Sequence, residues 1–481
     1  MIKKILPKIL PVLATAALFS TLLCLTGCGS APQAEGEKLE APAVTKKEAE
    51  KPKQEPQDPP NVKFVKQLQA LLDKGDISAA ITHFDSIPAS LKDDIELKNL
   101  LGALYYSDSQ YDNAIATANE ILVIEPENMD ALELISMCTK AKGDKKGYKE
   151  ASDRILAVDP YNAAVNIQKA EEYAVNKKYK LARDSYRKAL RGDPDNTDAL
   201  FGYAQMSYYT DDLKTANDSF QKILEKEPEN AAALAYMGKL AYDDENYLRA
   251  TKFVQEALKY DATNYDYWMD YGTYLRYQGK FDDAAKAWKK ATELDPSYFL
   301  AYAYLAGNYD DLGMWDQALE NYHKVIETNP KYFYAYESTA ILEYHAKNYE
   351  NAIKYFTKTY EFSPSYAYTL MIAACYFKLN KPLEAKKVLS AQLKKLDANS
   401  TEYSLVRFYN DNYNRNAETN LTQKITKESN SNNRGKMLFY MGLYYELNKA
   451  EELANEYYAK VTNLKAPMFF EYRIAEWGLQ G

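Results

Sequence analysis

The sequence predicts an all-α chain, a solenoid of antiparallel helix pairs, and three observations carry that prediction. Prolines recur with a fixed period, small residues recur at two fixed places within it, and glycine and asparagine mark the helix ends. Pro126, Pro160, Pro194, Pro228, Pro296, Pro330 and Pro364 are spaced by 34 residues, or by 68 where Ala262 replaces a proline. A unit of this length cannot bury its own apolar face and does so by stacking on copies of itself. Twelve windows of 34 starting at residue 61 end at residue 468, so one unit written about twelve times covers most of the 481 residues. Only 18 Gly and 18 Pro are present, too few for a loop-dominated fold, and 46% hydrophobic residues suffice for a long core.

The first element is residues 1–28. Lys3 and Lys4 precede an almost unbroken apolar run from Ile9 to Leu25, the layout of a secretory signal. A membrane-spanning anchor competes at this length. The end of the run, Leu25-Thr26-Gly27-Cys28, resembles the bacterial lipobox. That resemblance implies cleavage before Cys28 and lipidation of Cys28, with several acyl chains exceeding the single chain that anchors only marginally. It implies a lipid-anchored protein of the bacterial cell envelope, facing outside the cytoplasm. Gly29 is not the aspartate that retains such proteins at an inner membrane, so a host with two membranes would hold it on the periplasmic face of the outer one. Residues 29–61 follow, with six prolines and no aromatic residue, and read as a disordered tether. A flexible chain of that length reaches roughly 30 Å.

Charge excludes one class of partner. Lys plus Arg number 60 against 68 Asp plus Glu, a net charge of −8 that becomes −11 once residues 1–28 are removed. Nucleic-acid binding draws on phosphate neutralisation, so no nucleic acid is expected.

Residues 62–468 are the repeat body. Window position 8 is small in most units, as in Gly102, Ser136, Ala170, Ala204, Gly238, Gly272, Ala306, Ala340 and Gly442. Position 20 is alanine in Ala80, Ala114, Ala182, Ala216, Ala250, Ala284, Ala318, Ala352 and Ala454. Position 24 is bulky in Phe84, Tyr186, Phe220, Trp288, Tyr322, Phe356 and Tyr458. Small residues at 8 and 20 let two helices cross closely, and the bulky residue fills the groove beside the crossing. Asn128, Asn162, Asn196, Asn230 and Asn264 stand at position 34 as caps of the next helix. Gly75, Gly143, Gly279 and Gly313 stand at position 15, where a left-handed residue ends the first helix.

The stretch from Tyr265 to Pro296, with Trp268, Tyr271, Gly272, Ala284, Trp288 and Ala291 between, resembles the tetratricopeptide consensus. The resemblance extends over residues 61–468 and implies a right-handed α-α superhelix. Two units depart from the pattern. Residues 129–162 carry Tyr148 in place of alanine, and residues 401–434 carry Phe408 at position 8 and Asn420 at position 20. The second, with the run Ser429 to Asn433, reads as a weak unit or hinge. Residues 469–481 read as a helix capping the open end.

Catalytic signatures are missing. No phosphate-binding glycine loop occurs, and His83, His323 and His345 lie in no zinc-peptidase frame. Cys138 and Cys375 lie too far apart in the array for a disulfide and read as buried thiols. No enzyme activity, metal or cofactor is expected.

What remains is surface, and the conspicuous surface residue is tyrosine, with 44 in the chain. In the resembled family the binding groove uses positions 2, 5, 9, 12 and 13 of the first helix. Those positions hold Tyr106, Phe201, Tyr208, Tyr209, Tyr242, Arg276, Tyr277, Tyr334 and Tyr344. Tyrosine offers an apolar body with a polar tip, suited to extended peptides or helices, although the same residues would also serve as packing. Position 5 reads Phe201, Ala235, Met269 and Ala303, without the lysine and asparagine clamp of chaperone-binding members. The expectation is a membrane-anchored scaffold whose tyrosine-rich groove binds envelope proteins or peptides. The alternative is an accessory lipoprotein of polysaccharide synthesis or export, its tyrosines stacking on sugar rings.

Overall fold

The computed structural model describes residues 59–411, 414–464 and 468–480. Cys28, the signal of residues 1–28 and the tether up to residue 58 lie outside the described residues. Among the described residues there are 25 α-helices and no strand. The chain divides into two compact units between Ser219 and Phe220, inside the helix Leu213–Lys226, and each unit is a stack of consecutive helix pairs.

The period seen in the sequence is kept by the backbone. First helices run from Ile95–Ser107 to Phe333–His345 and second helices from Tyr111–Ile124 to Tyr349–Phe362, each series starting anew every 34 residues. The first helix, Pro60–Asp73, starts two residues ahead of the expected body, with Pro60 at a first-turn position that lacks an intrahelical acceptor.

Helix ends follow the expected chemistry. Asn128, Asn162, Asn196 and Asn230 each accept from the backbone N–H three residues on, at 2.9–3.1 Å. Asn264 accepts from Asp266 N–H at 3.0 Å. Gly75, Gly143, Gly279 and Gly313 have φ near +70°. The same left-handed turn is also adopted by Ser109, Lys177, Asp211, Glu245, Lys347, Asn380 and Lys449, with φ of 55–63°. At Lys347 its N–H bonds Tyr344 O at 3.0 Å and the next N–H bonds Glu343 O at 2.9 Å, which satisfies carbonyls at the helix end. Turn geometry thus holds at positions where the side chain opposes it.

The crossing inside each pair is tight. A Cβ on Gly238 would stand 2.9 Å from Val254 and 3.3 Å from Ala250 O. One on Gly272 would stand 2.5 Å from the Trp288 indole, and one on Gly442 would stand 2.8 Å from Tyr458 and 3.2 Å from Ala454 O. Positions 8, 20 and 24 therefore meet as expected. Trp288 is fully buried, and its indole N–H donates to Met269 O at 3.1 Å.

Regularity ends after Phe362. The helix Tyr366–Lys378 starts one residue early, and Thr401–Asn410 is cut to 10 residues. Phe408 is accommodated, buried with its ring 4.2 Å from Tyr444. The run Ser429 to Asn433, read from the sequence as part of a weak unit or hinge, leads into a helix at Ser431. Asn430 caps Asn433 N–H at 3.0 Å and residues from Ser431 begin a 17-residue helix, Ser431–Leu447. Asparagine and serine here serve as helix-start residues, which is their other common role.

The last helix, Phe470–Gln480, does more than cap the final pair. Arg473 reaches Asp310 with both guanidinium nitrogens, at 2.7 and 2.5 Å. Trp477 stacks on His345 with centroids 4.0 Å apart. At its start Glu471 is fully buried, and one of its carboxyl oxygens has no hydrogen-bond partner. Tyr440 Oη lies 3.0 Å from both Ala367 O and the other oxygen of Glu471. The Tyr440 hydroxyl donates to Glu471 and reaches the Ala367 carbonyl at the same distance. Burial raises the Glu471 pKa to about 7, opposed by Lys436 and Tyr440 and assisted by Glu337. Tyr366 and Tyr368 also face it, and burial raises both of their pKa values.

Two outcomes are expected. Lys347→Gly should stabilise the pair Phe333–His345 and Tyr349–Phe362 by about 1 kcal/mol, because a side chain at left-handed φ costs that much. Unchanged amide-exchange protection there would contradict it. Glu471 has a folded pKa above its unfolded value, so its contribution is complete below the unfolded value, near 4.5, and is lost as pH rises through about 7. Protection of Phe470–Gln480, corrected for intrinsic exchange, should fall relative to Glu471→Gln across that window. Parallel pH curves for the two proteins would contradict it.

Candidate functional site

Three kinds of environment receive the groove residues expected from the sequence. Tyr209, Tyr277 and Tyr334 are open, with 48%, 54% and 65% of their surface exposed. Tyr106, Phe201, Tyr208, Tyr242 and Arg276 are half-buried. Tyr344 is a correction. It is 8% exposed and belongs to the core, and burial pushes its hydroxyl pKa far up.

The reason for this division is a contact at window position 17, the first residue of the second helix. Tyr111, Tyr247 and Tyr349 each pack on the position-12 tyrosine of their own unit, Tyr106, Tyr242 and Tyr344, with centroids 5.7 Å apart in every case. The same position also reaches forward to position 13 of the next unit. Tyr179 stacks on Tyr209 at 5.1 Å, Tyr247 on Tyr277 at 4.9 Å, and Trp315 meets His345 at 4.1 Å. Position 12 is covered by this bracket while position 13 keeps one face open. The sequence already held the signal, since an aromatic residue recurs at position 17 in Tyr111, Tyr179, Tyr247, Phe281, Trp315 and Tyr349. The expected groove positions omitted it.

In the second unit, Tyr242, Tyr247, Tyr274 and Tyr277 form a cluster, with Tyr242 stacked on Tyr274 at 5.0 Å and edge-on to Tyr277 at 5.3 Å. Burial raises the Tyr242 hydroxyl pKa, and a hydrogen bond with Tyr277 raises it further. Arg276 is engaged by Asp311 of the next first helix. Nearby, Lys239 pairs with the buried carboxylate of Asp270 at 2.8 Å. In the first unit, Tyr209 also lies edge-on to Tyr208 at 5.7 Å. Each cluster offers an exposed aromatic face stiffened from beneath by a second ring.

A cavity of about 930 Å³ opens in the first unit beside Lys145–Val158 and Ala163–Val175. It coincides with the unit that departs from the pattern. Position 20 is Tyr148, whose hydroxyl donates to Gln168, and position 24 is the small Ser152. With no bulky residue at 24 the space beside the crossing stays open.

Neither cysteine is in a disulfide. Cys138 and Cys375 are free and buried, and burial pushes the Cys138 thiol up to about 11 and Cys375 higher still. Among the described residues no cluster of His, Cys, Asp and Glu is placed to hold a metal ion, and no helix is long and apolar enough to cross a membrane.

Comparison with known proteins agrees with this architecture. Tetratricopeptide repeat family models match residues 265–298 and 308–367. No curated protein matches the chain. Among solved structures, MamA is 26% identical, over 33% of this chain and 93% of that one, with a TM-score of 0.32. YrrB, described as a TPR protein with an unusual peptide-binding site, is 23% identical over 41% of this chain and 98% of its own, with a TM-score of 0.32. The APC/C hetero-tetramer Cut9–Hcn1 is 17% identical over 65% and 62%, with a TM-score of 0.39.

Proposed function

We propose that the chain is a lipid-anchored scaffold of the bacterial cell envelope that binds proteins or peptides through the aromatic face of its first helices. The observation that carries the binding part is the bracketed tyrosine at position 13, open at Tyr209 and Tyr277. Ring on ring from beneath leaves little rotamer entropy to lose when a partner docks, which favours affinity per residue. Anchoring through Cys28 is supported by the Leu25-Thr26-Gly27-Cys28 sequence alone.

Two experiments test the parts separately. Tyr209→Ala with Tyr277→Ala should leave the fold intact, because both rings are about half exposed. Loss of two exposed hot-spot tyrosines should weaken partner capture from envelope extract by tenfold or more. Unchanged capture by the folded double variant would remove both tyrosine faces from the account. Cys28→Ser should abolish labelling by an alkyne fatty acid, and equal labelling of both chains would refute the anchor.

A further inference from the structure

The position-12, 13 and 17 bracket of residues 299–345 is not open like its predecessor. The chain's own C-terminal helix lies on it. Phe470 stacks on Tyr368 at 5.7 Å with planes 8° apart. Arg473 takes Asp310, at position 12, in the two-nitrogen pair described above. Ile474 is buried, and Trp477 covers His345, at position 13, and meets Trp315, at position 17, at 5.7 Å. These four residues are i, i+3, i+4 and i+7, the anchor spacing of a helix laid into a groove.

The receptor is chemically distinct from its neighbours. One unit earlier the same three positions are Arg276, Phe281 and Asp311, where Arg276 and Asp311 satisfy each other. Two units earlier they are Tyr242, Tyr247 and Tyr277. Only at Asp310, Trp315 and His345 does an acid stand beside an indole and an imidazole among these three. With the helix in place Asp310 is 11% exposed, and a carboxylate covered to that degree calls for a paired cation. Arg473 supplies that cation and in turn lies over the Trp477 ring at 4.4 Å, so the arginine and the tryptophan one turn later act as one plug. A helix of 11 residues is marginal in isolation and takes its order from packing on this face and on the helices Ser431–Leu447 and Glu451–Thr462.

We infer that the face built by Asp310, Trp315, His345 and Tyr368 is a receptor for a short amphipathic helix carrying arginine and an aromatic residue four positions apart, and that Phe470–Gln480 is its resident, displaceable occupant. The same face would take a partner helix of that pattern once the resident leaves. This deepens the protein-binding reading by naming a partner class, while the open faces at Tyr209 and at Tyr277 stand or fall by their own test.

The test uses the full chain and a fluorescein-labelled peptide of residues 468–481. Arg473→Glu, Ile474→Asp and Trp477→Ala together should release the resident helix, seen as lost amide protection in Phe470–Gln480 with protection of Phe299–Asp311 and Phe333–His345 retained. The released chain should bind the peptide at least tenfold more tightly than the wild-type chain, whose tethered helix competes at high effective concentration. Asp310→Arg added to the released chain should abolish peptide binding, and a peptide with the arginine changed to glutamate should fail on the released chain. Equal binding to released and wild-type chains, or none to either, would overturn the proposal. So would persistent protection of the helix in the triple variant, or loss of protection throughout residues 299–345, which would make the helix a fixed part of the core.

Discussion

Everything in this chain depends on how closely two helices cross inside each unit. In most units position 8 of the first helix meets position 20 of the second so closely that a Cβ on Gly238 would lie 3.3 Å from Ala250 O. Ala114, Ala182, Ala250, Ala284, Ala318 and Ala352 at position 20 are completely buried. Close approach brings the bulky residue at position 24 into the groove beside the crossing, where dispersion contacts accumulate. Where the rule is broken the consequence is visible. With Tyr148 at 20 and Ser152 at 24, the pair carries an open cavity and a buried serine hydroxyl without a partner.

The crossing also sets the geometry of the surface. A fixed angle between the helices of a pair delivers position 17 to the same place beside positions 12 and 13 in each unit. The repeated 5.7 Å separation of Tyr106–Tyr111, Tyr242–Tyr247 and Tyr344–Tyr349 is a direct product of that regularity. Tyrosine abundance in the sequence therefore has two physical sources, rings that brace and rings that are braced. Only the second kind keeps a face available to a partner. The C-terminal helix uses that face at His345 and shows what chemistry satisfies it.

The repeat was legible because it rests on local chemistry copied many times. Proline after the second helix, asparagine at the cap and small residues at the crossing each act within one unit, so their period survives in the sequence. Left-handed turns at Lys177 and Lys347 were not legible, since the tertiary bond pattern imposes them against the side chain's preference. Tyr344 could not be told from Tyr242 by position alone, since both stand at position 12 and their burial differs with what packs over them. The return of Arg473 to Asp310 spans 163 residues and leaves no periodic trace. The helix start at Ser431 was hidden for a different reason, because asparagine and serine serve caps and loops alike.

The most direct measurement is a double-mutant cycle at the crossing of Tyr265–Tyr277 and Phe281–Leu294. Gly272 stands against the Trp288 indole, where an added Cβ would lie 2.5 Å away. Gly272→Val should destabilise this pair by about 2 kcal/mol or more, read from local amide exchange, because overpacking a filled site forces the tryptophan out of place. In a Trp288→Ala background the same substitution should cost far less, giving a coupling energy of about 2 kcal/mol. Equal costs in the two backgrounds would mean that close approach at the crossing does not govern the packing of the pair, and the account would be wrong at its base.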